Sequence, residues 1–375
     1  MRGMRSADAT VSIETYPSTD SLPPDADRLF AEARTMFETR SWWSTVLADA
    51  LPPRTQACFV LCRFGGRPVG LFPMLGAPGR GSPRWGSFTT PYTCLYAPLI
   101  VADADAAVVF RAFGQYCRSA AITRIDALPL EWPHLKAMIG GVRAAGIAVR
   151  QFDHFGNWHE TVAGLDWSGY LARRPGALRE TIRRRLRKAE RLKDAQFTLI
   201  TGKEGLAGGI ATFEAVYAKS WKEPEPFPTF NAALMRTAAA NGILRLGLWS
   251  VDGQPAAVQF WIVEHGQATV LKLAHDEAFK AHSPGTVLTA LMLRQLLDHE
   301  KITSIDFGRG DDPYKRDWAA ERRQRIGLML INPWRPSGIK ALLLHALGRI
   351  RARALRAGLT GGPRHAEPET HLDGR

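Results

Sequence analysis

The sequence predicts an α/β fold in two tandem units, each with a mixed sheet. Two strand-like runs joined by a glycine turn occur twice, at 57–73 and at 243–263. A short run, Ile122-Thr123-Arg124-Ile125-Asp126, returns as Ile302-Thr303-Ser304-Ile305-Asp306 with one position changed, nearly the same distance further along the chain. Both halves therefore read helix, helix, hairpin, strand, helix, strand. A hairpin supplies antiparallel neighbours and a helical crossover supplies a parallel one, so each sheet is expected to be mixed.

Taken in order, residues 1–20 hold arginines but no apolar run, which argues against a secretory leader. Helical material at 24–50 precedes the first hairpin, whose turn is Gly65-Gly66-Arg67-Pro68. The aromatic stretch after it offers Trp85, Tyr92 and Tyr96 as lining for an inter-domain cleft, or as core. A boundary near 165 divides a first unit, 1–165, from a second, 166–335. Residues 175–193 predict a basic amphipathic helix, with Leu178, Ile182, Leu186, Ala189 and Leu192 on one stripe and Arg179, Arg183, Arg184, Arg185, Arg187, Lys188 and Arg191 elsewhere. Two helices span 205–241, interrupted where Pro224, Pro226 and Pro228 remove backbone donors. The second hairpin turns at Asp252-Gly253-Gln254-Pro255, and strands follow at 267–274 and 302–307. The third segment, 336–375, is expected to be a basic helix at 339–357 and a disordered tail; residues 335–356 hold six basic residues and no acid.

The composition, 45% hydrophobic and 23% charged over 375 residues, suits sizeable globular cores. A formal charge of +13 favours anionic partners: phosphates, nucleic acid or acidic lipid. No apolar run is long enough to span a bilayer, so a cytoplasmic protein is expected, with attachment to the inner membrane surface as a further option. Cys58, Cys62, Cys94 and Cys117 contain no CxxC pair and read as reduced core thiols, and no metal is expected. Zincin, P-loop, α/β-hydrolase and dinucleotide-binding motifs are absent.

The densest candidate chemistry lies between 259 and 318. Ser283 suits an N-cap and Pro284 the first helical position, which would leave the N–H groups of Gly285, Thr286 and Val287 facing a phosphate, with Lys280 adding charge. The loop Gly308-Arg309-Gly310-Asp311-Asp312-Pro313-Tyr314-Lys315 follows a strand that delivers Asp306, a common place for a ligand in an α/β sheet. Acids, bases and a stacking face converge there.

The run from Asp306 to Trp318, with Ser283-Pro284-Gly285 and the Asp252–Gln259 hairpin before it, resembles the acetyltransferase-like domain of bacterial polysaccharide clusters, the cellulose-biosynthesis type. That family lies in the GNAT superfamily, near the Fem-type tandem proteins. The likeness is strongest over 205–332, and the first half resembles a degenerate GNAT copy. It implies transfer of an acyl group, usually acetyl, from acyl-coenzyme A to an amine or saccharide acceptor, in exopolysaccharide or envelope synthesis. Val287 departs from the usual phosphate loop, where a second small residue is expected. Lys280, Ser283, Gly285, Thr286 and Val287 are the expected coenzyme contacts. Asp306 or Asp311 is expected as base or acceptor-orienting group, Tyr314 as the acid for the thiolate, Lys315 as neutraliser of charge, and Gln259 and His275 as acceptor contacts. Two alternatives accompany this reading: a Fem-like enzyme using aminoacyl-tRNA, with the basic helix on the RNA backbone, and a non-catalytic binding module of a polysaccharide assembly.

Overall fold

A computed structural model describes residues 10–77, 84–344 and 346–347. The first unit runs β1 (Val11–Tyr16), α1 (Asp27–Phe30), α2 (Arg40–Asp49), β2 (Gln56–Phe64), β3 (Arg67–Ala77), β4 (Arg84–Ser87), β5 (Leu99–Ile100), α3 (Ala106–Cys117), β6 (Ile122–Pro129), α4 (Leu135–Ala144) and β7 (Ala148–Thr161). The second runs α5 (Trp167–Ala172), α6 (Gly176–Ala189), β8 (Gln196–Ile200), α7 (Leu206–Ala218), α8 (Phe230–Ala240), β9 (Leu244–Val251), β10 (Gln254–Glu264), β11 (Gln267–His275), α9 (Pro284–Gln295), β12 (Ser304–Asp306), α10 (Lys315–Trp318) and β13 (Glu321–Ile331). The expected boundary near 165 lies in the loop after β7.

Both predicted hairpins form, and their turns explain their residues. Gly65 and Gly66 have φ of 56° and 79°, and Asp252 and Gly253 have φ of 50° and 70°. Two successive positive φ values match the right-handed twist of the flanking strands, which is why glycine recurs there. Asp105 caps α3 by accepting from the Ala107 and Val108 N–H groups, and Thr39 caps α2 by accepting from Trp42 N–H. Ile182 and Ala189 of the α6 stripe are buried, while Leu178, Leu186 and Leu192 pack partly buried against the same core.

One sheet joins the two units, in the order β1-β2-β3-β4-β6-β13-β7-β12-β11-β10-β9-β8, with β5 beside β3. The order reads alike from either end: β4 pairs parallel with β6, and β11 pairs parallel with β12. In the middle the units trade strands. β13 lies between β6 and β7, and β7 lies between β13 and β12, both through antiparallel ladders.

Helices cover both faces of the second half. A Cβ at Gly209 of α7 would meet Leu246, and a Cβ at the next β9 residue, Gly247, would meet Met292 and Leu288 of α9. Successive strand residues point to opposite faces, so α7 and α9 lie on opposite sides. The α7 and α8 side belongs to a core continuous with the first unit, where Trp42 packs edge-on to Phe230 at 5.8 Å. The α9 side forms a second core with α5 and α6, around Trp249, Trp261 and Met292.

Candidate active site

The two parallel strands β11 and β12 pair only over Gln267–Ser304, Ala268–Ile305 and Thr269–Asp306. Beyond that point β11 runs on to His275, whereas the chain leaving Asp306 turns away. Gly308 makes the turn: its φ is 65°, and a side chain there would collide with the Val270 carbonyl. The splay opens a cavity of about 560 Å³, walled by Val270–Leu273 of β11, by Phe307, Arg309 and Asp312–Lys315 of the departing loop, and by Tyr92 and Cys94 of the first unit. Trp221, Lys222, Asn231 and Leu234 close the remaining side. Of the expected cleft aromatics only Tyr92 lines it; Tyr96 is buried with its hydroxyl on the Pro73 carbonyl, and Trp85 packs partly buried in the first unit.

The β11 wall carries a bulge. Val270 faces Trp261 and Lys272 faces Phe260, so Leu271 is the extra residue. A bulged residue is unpaired in its ladder, and β12 has already ended, so β11 presents a free backbone edge to the cavity at Leu271.

The expected catalytic residues separate into those that face this cavity and those that do not. Tyr314 and Lys315 line it. Desolvation, aided by Asp312, raises the Tyr314 phenol above its ordinary range and keeps it a proton donor. Lys315 is buried, with its ammonium on the carbonyls of Arg309 at 2.8 Å and Gly310 at 3.3 Å and on Asp312 at 2.9 Å. An ammonium has three donors, and the loop uses all of them. Lys315 thus holds the loop's shape instead of standing free to neutralise phosphate.

Asp306 does not face the cavity. It is buried at the end of β12 beside the traded strands, accepting from Asn157 Nδ2 and Gly308 N–H, each at 2.7 Å, and pairing with the Arg323 guanidinium. With three of its four lone-pair sites taken, the carboxylate anchors the turn and does not open onto the cavity. Asp311 points outward to Trp158 Nε1 at 2.6 Å and Arg322 at 2.7 Å, and the Arg322 hydrogen bond lowers its pKa. Gln259, only 1% exposed, donates to Thr289 Oγ1 at 2.7 Å and accepts from Trp261 Nε1 at 2.9 Å. It ties β10 to α9 and has no free group for an acceptor. The carboxylate that does reach the cavity is Asp312.

The helix start at 284 lies next along β11, not inside the cavity, and none of residues 280–287 lines it. His275 and Trp221 stand between, ring on ring at 4.4 Å. His275 Nδ1 would be 3.7 Å from a Cβ at Gly285, and burial lowers its pKa. It therefore neighbours the helix start, not the acceptor side. Ser283 adopts the left-handed region, φ 52°, and makes no side-chain cap. Its carbonyl takes the Val287 N–H at 3.1 Å, so Val287 is not a free donor; the N–H groups of Gly285 and Thr286 have no acceptor among the described residues. Lys280 is exposed and bridges to Glu277 at 3.3 Å. Nothing but His275 approaches a Cβ at Gly285, so the fold itself does not require glycine there.

Residues 176–316 match the family model for an acetyltransferase (GNAT) domain. The fold is GNAT-like. FemX superposes with a TM-score of 0.57 at 11% identity, covering 85% of this chain and 98% of FemX. A conserved protein of unknown function from Bacteroides thetaiotaomicron gives 0.51 at 12% identity, covering 85% of this chain and all of the other, 100%. A tandem GNAT protein from the clavulanic acid biosynthesis pathway gives 0.50 at 14% identity, covering 85% and 98%. At such identities the likeness lies in the fold. No curated protein matches the chain in sequence. The GNAT-matching segment includes the splay, the bulge and the helix start, but neither β7 nor β13.

Sequence reasoning missed Lys222, Asn231, Arg309 and Asp312. Arg309 and Asp312 sit in the loop that was singled out. Lys222 opens the proline segment and Asn231 lies in the first turn of α8, and neither position carries a local motif.

Proposed function

We propose that this protein transfers an acyl group, acetyl in the simplest case, from acyl-coenzyme A to an amine or saccharide acceptor. The observation that carries the reading is the free edge of β11, which faces the cavity at the bulged Leu271 and ends beside the two unpaired amides of α9. The residues fit the donor: Gly285 and Thr286 would hold its pyrophosphate, and the Leu271 N–H would polarise the thioester carbonyl where negative charge develops. Asp312 orients the acceptor and takes its proton. The acceptor's nitrogen or oxygen bonds to the acyl carbon, the carbon–sulfur bond breaks, and Tyr314 gives the departing thiolate its proton.

Acetyl-coenzyme A titrated into the protein should bind saturably, and free thiol should appear when an acceptor is added. Tyr314→Phe should lower kcat with little effect on donor affinity. No saturable binding removes the reading, and binding without thiol release across acceptors leaves the non-catalytic module. The division at 1–165, 166–335 and 336–375, and a role in exopolysaccharide or envelope synthesis at the cytoplasmic face, belong to this proposal.

Two surfaces bear on the partners. On α6 and the turn after it, Arg183, Arg184, Lys188 and Arg191 are exposed with no carboxylate partner among the described residues, while Arg185 reaches the Ala281 carbonyl just before the α9 start. That face supports the alternative of an aminoacyl-tRNA donor, which steep salt dependence of tRNA affinity would reveal. No described helix is long and apolar enough to cross a membrane. The chain is nevertheless helical from 336 to 344, and Ile339, Leu343, Leu344 and Leu347 are all exposed, three of them by about 60%. Their spacing makes one stripe, and the acid-free basic sequence of 335–356 complements an anionic lipid surface. The remainder of the helix expected at 339–357, and the tail beyond it, lie outside the described residues.

A further inference from the structure

We propose that the end of the cavity formed by Lys222 and Asn231 holds the anionic group of the acceptor, so that the acceptor is an amine bearing a carboxylate or a phosphate. The inference rests on the acyltransferase reading and names its second substrate. Four cationic side chains line the cavity: Lys222, Lys272, Arg309 and Lys315. Two are neutralised by the wall itself, Lys272 by Glu225 and Lys315 by Asp312. Two are not. Arg309 lies over the Phe155 ring at 4.5 Å and donates to the Thr93 carbonyl at 3.4 Å, with no carboxylate at ion-pair distance among the described residues. The Lys222 ammonium has no hydrogen-bond or ion-pair partner among them, only the rings of Tyr217 at 5.7 Å and Trp221 at 5.8 Å. A partly buried cation with no carboxylate at contact distance is costly unless a ligand supplies the charge.

Asn231 is a separate observation. It is 5% exposed, its Oδ1 has no donor, and it lines both this cavity and an adjoining recess of about 330 Å³ that Lys222 also borders. A buried acceptor left unpaired calls for an N–H or O–H. The ligand that meets both demands carries an anion for Lys222 and a nitrogen-bound hydrogen for Asn231 Oδ1, which would also orient that nitrogen toward the thioester.

The surroundings agree. Lys222 is faced by Lys272 of β11, by Glu225 of its own segment, by Tyr217 of α7, and by Asp312 and Lys315 of the departing loop. Burial and the two lysines bring its pKa from 10.5 down to about 8. An anion would reverse that, so anion affinity should be fullest below pH 8 and should fall as the pH rises through it.

Calorimetry on the full chain at low ionic strength, with no acyl donor present, tests the inference. The probes are matched pairs: L-alanine against L-alaninamide, and glucosamine 6-phosphate against glucosamine. The anionic member of at least one pair should bind more tightly by about tenfold or more, the scale of one charged hydrogen bond, and the pair that responds names the group. Lys222→Gln should abolish the preference, and Lys222→Arg should keep part of it, both with native circular dichroism. Equal or weaker binding of both anions, no binding of any probe, or a preference that survives Lys222→Gln overturns the inference. Thiol release with neutral amines and no anion preference would sink this inference alone. Anion preference without any thiol release from acyl-coenzyme A would sink the acyltransferase reading alone.

Discussion

Replacing Lys222 by methionine should make the protein more stable. Methionine keeps most of the apolar stem and removes the charged end that lies over the Tyr217 and Trp221 rings. The lysine pKa falls from 10.5 to about 8 in the fold, chiefly through burial and then through Lys272. At 1.36 kcal/mol for each pH unit, that is about 3 kcal/mol of penalty for carrying the proton. Solvent at the cavity mouth reduces it, so a gain of about 2 kcal/mol at pH 7 is the working figure. The sign follows from proton counts. Between about pH 8 and 10.5 the unfolded chain holds this proton and the folded chain does not, so wild-type stability gains across that window. The advantage of methionine is therefore full below pH 8 and fades toward pH 10.5. Urea midpoints of both proteins at pH 7 and pH 9.5 measure it, since the titration of other groups cancels in the difference. A variant no more stable than wild type at pH 7, or a gain that does not change with pH, would mean that Lys222 carries no burial penalty in the fold.

In thermal melts Asp306→Ala should cost about 3 kcal/mol or more, because it strips the Arg323 guanidinium, Asn157 and the Gly308 N–H of one shared partner; Asp311→Ala, at an exposed pair, should leave the melting temperature nearly unchanged. Gly285→Ala should leave the melting temperature level or slightly raised, since the added methyl meets only His275, while acetyl-coenzyme A affinity falls in calorimetry. Leu343→Asp with Leu347→Asp should reduce co-sedimentation with phosphatidylglycerol vesicles and leave the weak binding to phosphatidylcholine unchanged.

Much of the fold was legible because the repeat writes itself in local signals. Glycine turns at 65–66 and 252–253 and the paired Ile-Thr-x-Ile-Asp strands need only neighbours in sequence to be recognised, and they proved to occupy matching places in the sheet. Strand trading was not legible. β7 and β13 carry polar and charged residues along much of their length, and nothing local says which neighbour each will choose. The same gap misdirected the site. An aspartate ending a strand reads as available until Asn157, 149 residues away, and Arg323 on the traded strand are seen to claim it. Gln259 likewise reads as open to an acceptor until α9 is laid over it. Lys222 and Asn231 became visible only once a proline segment and a helix start closed over β11.

The traded strands set a limit on how this molecule can be cut. A fragment restricted to 176–316 would take β12 but leave behind β7, its antiparallel partner, and β13, the strand beyond that. The raw edge so exposed would hold unpaired backbone and an Asp306 deprived of both Asn157 and Arg323, an invitation to clump. Trimming to a minimal catalyst, the usual route to crystals or to a fusion partner, therefore has to proceed from the termini inward, never through the middle.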